Sequence, residues 1–201
     1  MKNVARLLTA VTLALPALAF AEATTWKIDP AHTQTAFVVR HLGVSNVRGE
    51  FRTTNGTVVI DEQRPEKSRV EAVIDAKSIH TREEKRDAHL RSPDFFDAEK
   101  FPAITFKSTK VEKAGDAWKI TGDLTLHGVT KPVTLEATVT KPIQGMRGPT
   151  RGVSATTKIR RGDFGLSWNK MVEAVPVVGD EVTIQIDAEL NRQAETTASA
   201  K

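Results

Sequence analysis

Asp29, His32 and Ser45 are the residues near the start of the chain that could do covalent chemistry: a carboxylate, an imidazole and a hydroxyl, the parts of a serine hydrolase. The surroundings do not complete that reading. Ser45 sits between Val44 and Asn46 rather than in a G-x-S-x-G elbow, and no neighbouring run supplies an oxyanion hole. Asp29 followed by Pro30 is equally an ordinary turn pair. The five histidines, His32, His41, His80, His89 and His127, show no H-E-x-x-H spacing, and the chain has no cysteine. No metal site and no cofactor is expected from these patterns.

The first 21 residues carry their own signal. Lys2 and Arg6 precede an apolar run from Leu7 to Phe20, and Ala19-Phe20-Ala21 is a small-x-small cleavage site. The run is too short to cross a bilayer, for which roughly 20 residues are needed, and Pro16 interrupts it. An exported, periplasmic protein beginning at Glu22 is therefore expected, without stable membrane insertion. Loss of Lys2 and Arg6 lowers the formal net charge from +4 to +2, which argues against a nucleic-acid partner. About 180 residues remain, the size of one domain.

Beyond Trp26 the chain alternates apolar and polar residues with period two, the pattern of strands with one wet face. Phe37 and Val39 share a face opposite Arg40; Ile104 and Phe106 alternate with Thr105 and Lys107; Val182, Ile184, Ile186 and Ala188 alternate with Thr183, Gln185, Asp187 and Glu189. Hairpin turns are expected at Asn55-Gly56, Gly115-Asp116 and His127-Gly128. One segment, residues 81–97, departs from the pattern. Thr81-Arg82-Glu83-Glu84 reads as a capping box with Thr81 as N-cap, Ser92-Pro93 ends the helix, and Phe95-Phe96 should plug one end of the β structure. The Pro- and Gly-rich stretch from Lys141 to Gly152 reads as a long loop, and the tail from Gln193 to Lys201 as disordered.

A sheet of about eight antiparallel strands removes its edges by closing. The interior of such a barrel is either filled by side chains or left open for one small ligand. Bulky Phe37, Phe51 and Phe106 alternate here with small Ala72, Gly122 and Ala137, and this pattern leaves the choice open.

Several separated blocks resemble the YceI family of lipid- or polyisoprenoid-binding proteins. They are Ile28-Asp29-Pro30-Ala31-His32 with Phe37, Val39 and His41; Val47 to Phe51; Asp75 to Ile79 with Thr81; Arg86 to Asp97; Phe101-Pro102 with Thr105-Phe106; Gly122 to Val133; and Arg161-Gly162-Asp163-Phe164-Gly165. The resemblance implies an all-β, up-and-down, eight-stranded lipocalin-like barrel over residues 22–192. It also implies a non-enzymatic role, a homodimer, and a long isoprenoid lipid held in the lumen. Alternation and the family pattern together place Phe37, Val39, His41, Phe51, Ile74, Ile104, Phe106, Leu124 and Leu135 inward. A phosphate or quinone head on that lipid would meet Arg86, His89, Arg91, Trp168, Asn169 or Lys170 at the mouth. Arg86 and Asp87 have a second reading, as a structural ion pair or as a tie between the helix and the barrel. The rival to lipid carriage, besides the hydrolase, is a stress-response module with a filled barrel.

Overall fold

The computed structural model describes residues 23–193, so the export signal expected over residues 1–21 and all of the expected tail after Gln193 lie outside the described residues. In chain order the strands are β1 (Thr24–His41), β2 (Ser45–Phe51), β3 (Thr54–Ile60), β4 (Arg69–Asp75) and β5 (Ile79–His80), followed by helix α1 (Glu84–Arg91). Then come β6 (Ala103–Ala114), β7 (Ala117–Leu126), β8 (Val129–Val139), β9 (Ile143–Gly145), β10 (Gly148–Arg160), β11 (Met171–Val172), β12 (Val175–Pro176) and β13 (Val178–Arg192).

Several of these are pieces of one longer stave. β2 pairs with the Thr35–His41 half of β1 and β3 with its Thr24–Lys27 end. β4 and β5 lie along β3 and β2 in turn, and β8 and β9 both lie along β10. Counted this way, eight antiparallel staves follow one another in chain order, and β13 closes back on β1 from Trp26↔Arg192 to His41↔Val178. The up-and-down, eight-stranded barrel that the family resemblance implied is the observed fold. Each stave turns its apolar residues inward and its polar ones to solvent, and closure satisfies the backbone groups that an open sheet would leave bare.

The register places the connections at two ends. The helix end carries α1, the β1–β2 turn, the β7–β8 turn at His127-Gly128, a 3-10 turn at Arg161–Phe164, and the small β11–β12 hairpin. The far end carries the β6–β7 turn at Gly115-Asp116 and the β9–β10 hairpin. Two buried tryptophans close the far end. Arg151 lies over the Trp26 ring at 5.1 Å, and Lys113 over the Trp118 ring at 4.7 Å.

Three local expectations are corrected. Asn55-Gly56 is not a turn: both residues lie inside β3, paired with Val73 and Ala72. Gly56 is there because the next strand passes so close that a Cβ would sit 2.3 Å from the Glu71 carbonyl oxygen. The stretch from Lys141 to Gly152 is largely strand, because β9 and the start of β10 form a tight hairpin of their own. The N-cap of α1 is Glu83, whose carboxylate accepts from the backbone N–H of Lys85 and Arg86; Thr81 is freed for the contact described below.

The Gly56 packing gives a direct test. Gly56→Ala should destabilise the barrel by about 1–3 kcal/mol through overpacking, read as a lower urea midpoint with an unchanged denaturant slope.

Candidate functional site

The interior of the barrel is not filled. A cavity of about 230 Å³ runs between the staves, where a void needs only about 10–15 Å³ to admit a water molecule. Its wall is hydrocarbon almost throughout. Phe37, Val39, Phe51, Ile74, Ile104, Phe106, Leu124 and Leu135 all line it, contributed by β1, β2, β4, β6, β7 and β8. The remaining staves, β10 and β13, complete the ring with residues such as Ala155, Ile159, Val182 and Ile184.

His41 is the exception among the inward candidates. The pairing of β1 with β13 shifts register between Val39 and His41, so period-two alternation breaks there and His41 stands at the rim opposite Ser45, outside the wall. Four threonines, Thr33, Thr35, Thr54 and Thr157, also line the cavity; Thr33 and Thr35 are in phase with Phe37 and Val39, but a search for apolar residues passes over them. Thr35 Oγ1 and Thr54 Oγ1 satisfy one another at 3.0 Å, while Thr33 Oγ1 is buried without a hydrogen-bond partner among the described residues. Leu166, another wall residue, comes from a loop, where no periodic signal marks it.

At the helix end an apolar lid continues the wall. Leu90 from α1 and Phe95 and Phe96 just beyond it face the cavity, and the Phe96 ring meets Phe51 edge-on at 5.5 Å. A polar clamp fixes this lid to the barrel. The buried Asp87 carboxylate accepts from Thr81 N at 2.8 Å and Thr81 Oγ1 at 2.5 Å, with His80 Nδ1 at 3.2 Å from its other oxygen. Arg86 donates to Thr81 Oγ1 and to the Thr81 carbonyl, both at 2.7 Å. Arg86 and Asp87 thus form no direct ion pair, but through Thr81 they tie the helix to the barrel, the other form of the structural reading. Burial works against the Asp87 charge, but the hydrogen bonds from Thr81 and the neighbouring His80 outweigh it and hold the carboxyl below its ordinary range.

The other head-group candidates are mostly occupied with structure. Arg91 donates to the carbonyls of Lys77 and Ile79, and Asn169 clasps both backbone groups of Val178. His89 meets Phe95 and Trp168 edge-on and those two rings are tilted against each other, all with centroids 5.0 Å apart, and Lys170 Nζ lies 6.0 Å from the Trp168 ring. Arg161, named from sequence only within a family block and not as a site residue, is buried and donates to the carbonyls of Leu166, Trp168, Val178 and Gly179, bracing the loop behind the lid. Burial away from any contacting carboxylate lowers its pKa, which Asp180 nearby partly offsets.

The hydrolase constellation does not assemble. Asp29 and His32 lie 3.1 Å apart near the far end, whereas Ser45 pairs with His41 at the opposite end of β1, roughly 35 Å away at the rise of a strand. The fold instead brings Glu189 of β13 beside Asp29 and His32, with ligand atoms of all three within 4.8 Å of one another. A search by sequence spacing could not find this trio, because its third member comes from the other end of the chain. Asp29 is already occupied, accepting from Ala31 N, His32 Nδ1 and Asn191 Nδ2, which pins the β1 irregularity between Ile28 and Thr33.

The class these features define is a closed eight-stranded antiparallel barrel around an apolar lumen. Comparison with known proteins narrows this: a YceI-like domain profile matches residues 26–190, and the chain belongs to that family. It is 43% identical over 152 residues to Protein YceI of Escherichia coli O157:H7, covering 73% of this chain and 78% of that protein. The crystal structure of Burkholderia cenocepacia BcnA shares the fold with a TM-score of 0.72 at 23% identity, over 81% of this chain and 98% of that one. A polyisoprenoid binding domain from Saccharophagus degradans, implicated in plant cell wall breakdown, matches with a TM-score of 0.63 at 16% identity, over 86% and 100%.

The clamp makes stability depend on pH in a defined direction. Because the Asp87 carboxyl is held below its unfolded value, its contribution is complete above the unfolded carboxylate range and disappears as pH falls through the folded value. Asp87→Asn should cost about 2 kcal/mol at neutral pH. Paired urea titrations should show the gap between wild type and variant narrowing as the solution is acidified.

Proposed function

We propose that this protein binds and carries a long isoprenoid lipid in the barrel lumen, in the periplasm after export, without catalysing a reaction on it. The observation that carries the reading is the continuous apolar cavity, whose wall offers a guest hydrocarbon and almost nothing else. Burial alone supplies the affinity: at about 0.8 kcal/mol per methylene, about ten groups yield roughly 8 kcal/mol before ordering costs, which corresponds to micromolar binding. A longer prenyl chain has surplus to cover the entropy of threading. The family membership and the polyisoprenoid-binding neighbour support the same cargo class. The homodimer implied by the family resemblance belongs to this proposal as well.

Native mass spectrometry of the protein purified from its own periplasm, followed by organic extraction, tests this directly. A stoichiometric prenyl lipid is the expected result. A ligand-free protein that also refuses added prenyl lipids would instead support the filled-barrel, non-lipid reading. A second test narrows the lumen: Ala155→Phe places a ring where the wall is small. Uptake of an added prenyl alcohol should fall at least about tenfold, with the circular dichroism of the barrel retained.

A further inference from the structure

We propose that the β11–β12 hairpin, together with the adjoining β1–β2 turn, is a membrane-docking tip that inserts into the headgroup layer of an anionic bilayer. The proposal rests on the carrier reading, since a lipid carried through water must be taken from or given to a membrane. It adds which surface of this chain meets that membrane.

The hairpin is an appendage. It forms its own two-stranded sheet of two pairs, Met171↔Pro176 and Val172↔Val175, apart from the barrel. Its side chains face water: Met171 is 62% exposed, Val172 50% and Val175 40%. The β1–β2 turn lies against it, through a hydrogen bond from Leu42 N to the Val177 carbonyl at 3.0 Å, and adds Val44 at 79% exposure. The hairpin tip is also strained. Glu173 and Ala174 both hold left-handed backbone, with φ of 47° and 65°, a conformation that favours glycine or asparagine over either of them. A detached, strained hairpin that presents aliphatic side chains to solvent contributes nothing to closing the barrel, and its chemistry is that of a surface awaiting an apolar partner.

Two observations identify that partner as a lipid surface. The apolar tip is continuous with the lumen. Leu166 and Val178, on either side of the hairpin in sequence, line the cavity, and Trp168 at its base packs on Phe95, itself a wall residue. Charge points the same way. Lys170 beside the hairpin and Arg40 and Arg48 on the neighbouring strands are exposed and have no carboxylate within ion-pair distance among the described residues; of the carboxylates near them, Asp94 and Asp180 are paired with His89 and Arg160, and Glu173 is the one on the hairpin itself. An aliphatic tip with a tryptophan and lysine at its base and a basic rim matches the layering of an anionic bilayer surface.

The test uses the mature protein, co-sedimented with phosphatidylcholine vesicles with and without phosphatidylglycerol, beside light scattering to read oligomeric state. The wild type should partition onto the phosphatidylglycerol vesicles. The double variant Met171→Ser, Val172→Ser should lose at least about tenfold in partitioning, and Arg48→Glu should weaken it in a salt-dependent way. Both variants should bind a solubilised prenyl alcohol as the wild type does, because none of the three positions lines the lumen. Partitioning that is absent in the wild type, or unchanged in the double variant, overturns the docking proposal and leaves the carrier reading standing if the prenyl alcohol still binds. A dimer that the double variant dissociates, without vesicle binding by the wild type, overturns it in favour of a second copy on the hairpin. Failure of the wild type to bind any prenyl lipid removes both.

Discussion

The pairing of β1 with β13 is the contact on which the rest depends. Without it the eight staves are an open sheet with two bare edges and a greasy face. With it, every inward residue faces another across a ring whose circumference is fixed by strand number and spacing, not by the side chains inside. That separation of shape from filling lets a cavity survive. In a helical or sandwich core, small residues at Ala72 and Ala155 would draw their neighbours in; here the backbone ladder holds the wall apart.

Closure has a consequence at each end. The far end is shut by side chains that have little freedom left: Trp26 and Trp118 under Arg151 and Lys113, with Arg151 held further by Glu62 and the Thr140 carbonyl. The helix end is shut by a separate piece of chain, α1 and the two phenylalanines after it. That piece reaches the barrel through Asp87, Thr81 and Arg86. Moving the far-end plug would require breaking two strands of the ladder. Moving the lid requires loosening one polar clamp and one set of ring contacts, and so the helix end is the lower-energy route to the lumen.

Alternation made the staves legible because each has one wet and one dry face, and eight of the nine inward candidates stand in the cavity wall for that reason. What it could not show was any place where the strand rule bends. The bulge beyond Val39 turned His41 aside, and Gly56 looked like a turn because glycine required for close strand approach is spelled the same way as glycine required for a hairpin. The capping box was misread by two residues because Thr81, a good N-cap, is better used holding Asp87. Family resemblance supplied the barrel's identity, yet the emptiness of the lumen, the Asp29, His32 and Glu189 trio and the bracing by Arg161 depend on contacts between distant staves, which local sequence does not encode.

The fate of the polar candidates bears on selectivity. Arg86, Arg91 and Arg161 all sit near the helix end, and a phosphate-bearing guest would be expected to exploit them. Their donors are instead spent on the carbonyls and hydroxyl of the chain itself. Recruiting any of these guanidiniums to a head group would release carbonyls that are buried or half-buried, at a cost comparable to the hydrogen bond gained. Under the proposed carrier function, a barrel arranged this way would discriminate guests by the length and cross-section of their hydrocarbon more than by the chemistry of their heads.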